Sequence, residues 1–179
     1  VISPTGTFGD VFPDFDRSAF PPGCGFQAPP SALAAARVST SEFIHATELN
    51  AGTPACGLDI DDTAVAVTRQ NDSGTVIWTT VIDVGGAFTN ETRQNPIALV
   101  GSDVVLATKD GATNYLHRLS AATGAPVGSW GTDGRAIIAA GFGEIGGIAE
   151  LADGEVGIVN APLFTSSPTS VVVEQLSAN

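Results

Sequence analysis

A chain of 179 residues that is 43% hydrophobic is long enough to bury one core and too apolar to be a disordered tail. One lysine and six arginines stand against nineteen carboxylates, a net charge of -12, which excludes nucleic acid as a partner because binding it takes a basic footprint that displaces counterions. No run of about eighteen apolar residues is present, so no membrane insertion is expected.

Gly 21 and Pro 11, with only 15% charged residues, fit short strands joined by many turns. Three landmarks recur in order along the chain, and a fixed period of this kind reads as a repeat. The first copy opens with Gly6-Thr7-Phe8, an aromatic after a glycine turn. Next comes an insertion carrying Asp10, Asp14, Asp16 and Cys24, with prolines from Pro21-Pro22 to Pro29-Pro30 that stiffen it as a surface excursion. Ser31-Ala32-Leu33 marks one strand and Glu42 to Thr47, an acid opening an apolar run, the next. A second insertion holds Cys56, Asp59, Asp61 and Asp62 before the third strand, which a threonine opens at Thr63 to Val67.

The second copy begins at Gly74 to Trp78, continues through Ile97-Ala98-Leu99 and Asp103 to Thr108, and ends with Thr113 to His117. The third runs from Gly128-Ser129-Trp130 through Ile148-Ala149-Glu150 and Glu155 to Asn160, and closes with Thr169 to Val173. The interval from aromatic to acid is 25 residues in copies two and three and 34 in copy one, and from acid to threonine it is 21, 10 and 14. Copy one therefore carries two insertions, which strand repeats tolerate in their loops. Runs such as Asp103 to Ala107 are too short for a helix and read as strands buried on both faces. Asp72-Ser73-Gly74 and Thr123-Gly124 read as turns leading from one copy to the aromatic strand of the next.

The expected fold is all-β: one repeat domain over 1–179 with three four-stranded antiparallel blades of the propeller type, at about 8–77, 78–129 and 130–179. Tyr115 to Gly124 followed by Trp130 resembles the blade motif of PQQ-like propellers. Trp130-Gly131-Thr132-Asp133-Gly134-Arg135 with Ala152 to Val156 resembles the related delta-60 repeat of secreted bacterial propellers. The resemblance covers about residues 60–179, is degenerate in copy one, and implies a blade without implying a reaction, since one fold hosts many functions.

Closed propellers have four to eight blades, so three copies imply an incomplete ring or one completed by an oligomer, with strand edges pairing with copies of the chain or with another protein. Both ends fall at the same point of the repeat, so the residues near Phe8 are expected to complete a blade begun by another copy's C-terminus. The alternative is a ligand- or protein-binding segment of a larger propeller.

Candidate sites are few. Gly141-Phe142-Gly143-Glu144-Ile145-Gly146 fits a dinucleotide-binding pattern, but only about Gly146 to Asp153 is left for the helix that pattern requires, so a glycine turn between strands is expected. His45 and His117 occupy strand positions without a zinc-binding pattern around them and read as core or surface residues. No nucleophile elbow or phosphate loop occurs, and no residues match a quinone-dependent site, so a non-catalytic module is expected and a quinoprotein-type enzyme is a distant third. The six aspartates Asp10, Asp14, Asp16, Asp59, Asp61 and Asp62 form the one metal candidate, for calcium, against a plain reading as solvated loops; no other cofactor is expected. Cys24 and Cys56, one in each insertion, are read as a disulfide, with two separate thiols as the alternative. Asn71 and Asn90 head glycosylation sequons, and with the two cysteines they lead to the expectation of an extracellular or periplasmic location. Phe8, Trp78 and Trp130 are read as packing residues of the repeat.

Overall fold

A computed structural model of the chain describes residues 32–49, 64–83, 97–110, 113–138, 144–161 and 173–176. Among these residues there are eleven β-strands and one 3-10 turn, Ala152–Gly154, and no α-helix. The first sheet holds β1 (Ala32–Arg37), β2 (Glu42–Leu49), β3 (Ala64–Asn71) and β4 (Val76–Asp83), hydrogen-bonded in that order. The second repeats the order with β5 (Ile97–Val100), β6 (Asp103–Asp110), β7 (Thr113–Ser120) and β8 (Arg135–Ile137). The third contains β9 (Glu144–Glu150), β10 (Val156–Ala161) and β11 (Val173–Leu176), with β10 in the middle. Every strand pair is antiparallel.

The all-β class and the four-stranded antiparallel sheets are as the sequence predicts, but the units are phased differently. Sequence landmarks start each unit at the aromatic, whereas hydrogen bonding places the Trp78 strand last, as β4 of the first sheet. The cause is the turn between β3 and β4. Asn71 Oδ1 accepts from the Ser73 and Thr75 amides at 3.1 and 2.8 Å, and Gly74 takes φ 85. So short a connection folds a strand back beside its predecessor; it does not span the gap of about 10 Å between packed sheets. The connections from one sheet to the next follow β4 and β8. Thr123-Gly124 likewise stays within its sheet, with the Gly124 amide donating to the Ser120 carbonyl at 2.8 Å and Pro126 bridged to Leu119.

Side-chain alternation explains the stacking, because successive residues of a strand face opposite sides of the sheet. Ile44, Ala46, Val65, Val67 and Ile82 of the first sheet meet Val104, Leu106 and Leu119 of the second in one buried cluster. The opposite face of the second sheet, with Val105, Ala107 and Leu116, joins Trp130, Ile138 and Ile145, Val156 and Ile158 of the third sheet in another. Strand β6 thus sends residues into both clusters, as expected for an apolar run without polar alternation. The first strands of the sheets come together: β5 lies against both β1 and β9.

Register exposes a repeated device absent from the sequence landmarks. Glu42 pairs across from Asn71 and Asp103 from Ser120, so Arg69 and Arg118 hold equivalent places, each two residues earlier on the third strand. Both arginines reach back to the acid: Arg69 Nε to Glu42 Oε2 at 3.1 Å, and Arg118 Nε to Asp103 Oδ2 at 2.8 Å. In the third sheet the same count arrives at Gln175.

Candidate functional site

The first and second sheets pack closely around β2, β3, β6 and β7 and leave a cleft of about 720 Å³ toward their last strands. One wall is Thr80 and Ile82 of β4; the other is His117 and Leu119 of β7, Arg135 and Ile137 of β8, and the hairpin ahead of β8. Register sets the second wall: Tyr115 pairs with Ile137 and His117 with Arg135, and residues opposite one another share a face.

Tight turns hold this wall. Thr132 and Arg135 exchange backbone hydrogen bonds at 2.9 and 3.0 Å around Asp133 (φ 52) and Gly134 (φ 77). Left-handed conformations at both central positions make a type I′ turn, for which Asp-Gly is a favoured pair. A Cβ on Gly134 would stand 2.9 Å from the Arg118 carbonyl oxygen, so glycine is also what lets the hairpin lie on β7. At the inner end, the Ser120 to Gly124 turn is tied to the first sheet. Arg69 Nη1 and Trp78 Nε1 both donate to the Ala121 carbonyl, at 2.7 and 3.1 Å, and Thr80 Oγ1 donates to the Gly124 carbonyl at 2.7 Å.

The side chains of His117, Arg135 and Tyr115, with Asp133 at the hairpin tip, set the electrostatics. His117 is buried, with Nε2 2.8 Å from Thr108 Oγ1. Burial, with the Arg135 guanidinium adding to it, lowers its pKa to about 4, so the ring is neutral at physiological pH. Arg135 is exposed, and its guanidinium lies 4.4 Å from the centre of the Tyr115 ring, a cation–π contact. The other arginines among the described residues are paired, Arg37 with Asp72, Arg69 with Glu42 and Arg118 with Asp103. Such a wall, with one cation on an aromatic, one carboxylate at the hairpin tip, hydroxyls and aliphatic side chains, combines polar and apolar groups of the kind that ligand sites use.

The other sequence candidates fall elsewhere. His45 is buried on the far face of the first sheet, beside Phe43 and 3.3 Å from Thr47 Oγ1, with its pKa lowered by burial against an opposing hydrogen bond from Gln70. Glu144, Ile145 and Gly146 lie in strand β9, so the glycine pattern leads into a strand where dinucleotide binding needs a helix. Trp78 and Trp130 each pack at the border between their own sheet and the following one. Asn71 uses its side-chain oxygen in the β3–β4 turn. Asp10, Asp14, Asp16, Asp59, Asp61, Asp62, Cys24, Cys56, Asn90 and Phe8 lie outside the described residues. Among the described residues no group of three or more histidine, cysteine, aspartate or glutamate side chains is placed to hold a metal ion, and no helix is long and apolar enough to cross a membrane. Sequence reading missed Tyr115 and Arg135 as a pair; the signal is the strand register, which nineteen residues of intervening chain conceal.

No protein-family model matches the chain, and neither a curated protein nor a solved structure is matched by it.

Proposed function

We propose that the chain is an exported, non-catalytic β-propeller-type structural or assembly subunit whose last sheet is completed by a strand from another copy. The observation that carries this reading is the unequal strand count: two successive sheets have four strands in the same order, and the third has three among the described residues, with β11 at its edge. An edge strand presents a row of backbone donors and acceptors that another chain can pair with. The place next to β11 corresponds to that of β4, the strand bearing Trp78, and Gly6-Thr7-Phe8 carries the same landmark. The contacts of β5 with β1 and β9 support a radial arrangement of blades. The extracellular or periplasmic setting rests on the two cysteines, the sequons at Asn71 and Asn90 and the resemblance to secreted propellers.

Light scattering on the full chain tests the proposal. A mass at a multiple of 18.1 kDa, returning to a single chain in a Phe8→Asp variant, is the expected result. A monodisperse mass of one chain at tens of micromolar refutes strand completion between copies. A second reading, a ligand-binding segment of a larger propeller, is favoured by the cleft at Arg135.

A further inference from the structure

Arg135 is an arginine in a strongly acidic chain that makes no ion pair with any described carboxylate. Asp133, on the hairpin tip that lines the same cleft, lies beyond ion-pairing distance of it. Tyr115 supports the guanidinium from one side, and planar guanidinium groups so held present their remaining donors to a carboxylate in a fixed fork. Behind the cation the walls are aliphatic: Ile82 and Leu119 at the floor, and Ile137, 66% exposed, at the lip. A volume of about 720 Å³ is within the range of small-molecule sites, roughly 300–1,000 Å³.

We infer that this cleft binds a small amphipathic organic anion, its carboxylate on Arg135 and its apolar body between Ile137 and the Ile82–Leu119 floor. Charge decides the class of ligand. The chain's net charge of -12 repels anions in general, so one can settle here only where a local cation and apolar burial act together. A polar dianion lacks the apolar part and an uncharged hydrocarbon the ionic one. Neutral His117, bonded to Thr108, adds polarity at the back of the wall without adding a second positive charge, which fits one carboxylate better than two.

The test uses the full chain with 4-phenylbutanoate and its uncharged amide as probes, followed by calorimetry and by amide NMR shifts. Saturable binding of the carboxylate is expected, with shifts centred on residues 115–119 and 131–137. The amide should bind about ten- to a hundredfold more weakly, the range that loss of a charge-assisted hydrogen-bonded pair gives. Arg135→Gln should reproduce that loss for the carboxylate and leave the amide unchanged. Ile137→Asp, at an exposed position, should abolish carboxylate binding by like charge without altering the unfolding midpoint. Equal affinity for acid and amide, an unchanged affinity in Arg135→Gln, or no saturation at millimolar probe would each overturn the inference. The subunit mass is measured separately, so failure here and failure of strand completion are distinct results.

Discussion

Gly124 sits where the second sheet touches the first, and an alanine there should weaken the contact for two separable reasons. Its φ of 74 is in the left-handed region, where a Cβ costs about 1–2 kcal/mol. The added carbon would also stand 2.6 Å from Trp78 Cε3, 2.8 Å from Trp78 Cδ2 and 2.7 Å from Thr80 Oγ1, all inside van der Waals contact. Overpacking of this kind costs roughly 1–3 kcal/mol, so Gly124→Ala should lose about 2–5 kcal/mol in total. For a chain of this length that is a fall in melting temperature of roughly 10 °C. A double-mutant cycle separates the parts. In a Trp78→Ala background two of the three close contacts disappear, while the φ term and the Thr80 contact remain. The double variant should therefore be about 1 kcal/mol or more stabler than the sum of the single losses. Urea unfolding followed by far-ultraviolet circular dichroism gives all four corners. Additivity within about 0.5 kcal/mol would show that the turn does not rest on Trp78 and would refute the sheet-to-sheet docking.

Two further perturbations test the wall of the cleft and the repeated ion pair. His117 has a pKa of about 4 when folded against an ordinary value of 6.5, so the unfolded chain takes up its proton first as pH falls. Stability is then greatest above about pH 6.5 and declines toward pH 4, by about 2 kcal/mol at pH 5 from this residue; unfolding midpoints of His117→Gln should fall less over the same interval. Arg118→Ala leaves Asp103 without its 2.8 Å partner in a pair whose side chains are 11% and 16% exposed, and should cost about 2 kcal/mol by chemical denaturation. The more exposed Arg37→Ala should change stability by less than about 1 kcal/mol in the same assay.

The strands were legible where the pattern was local. Glu42 to Thr47, Asp103 to Thr108 and Thr113 to His117 all lie inside observed strands, because acid-then-apolar and threonine-opened runs carry their own signal. The phase of the sheets was not legible, because an aromatic marks packing and says nothing of which neighbour its strand bonds. Trp78 lies in β4, whereas Trp130 precedes β8 and reaches the core from outside any strand, although the two match in sequence. The acid half of the Glu42–Arg69 and Asp103–Arg118 pairs was visible as a landmark. Its partner was hidden because the acid-to-arginine interval is 27 residues in one copy and 15 in the other, and only the register makes the two equivalent. The cleft depends on two strands from different sheets, Arg135 on one wall and Ile82 on the other, and no spacing rule joins them.

A strand with one face in water can absorb mutation on that face. Strand β6 has no such side, since Val104 and Leu106 belong to one cluster and Val105 and Ala107 to the other. A larger or smaller side chain at any of these four positions therefore disturbs the packing against a neighbouring sheet, the first for Val104 and Leu106 and the third for Val105 and Ala107, so the strand has no position among them where a change of volume meets only water.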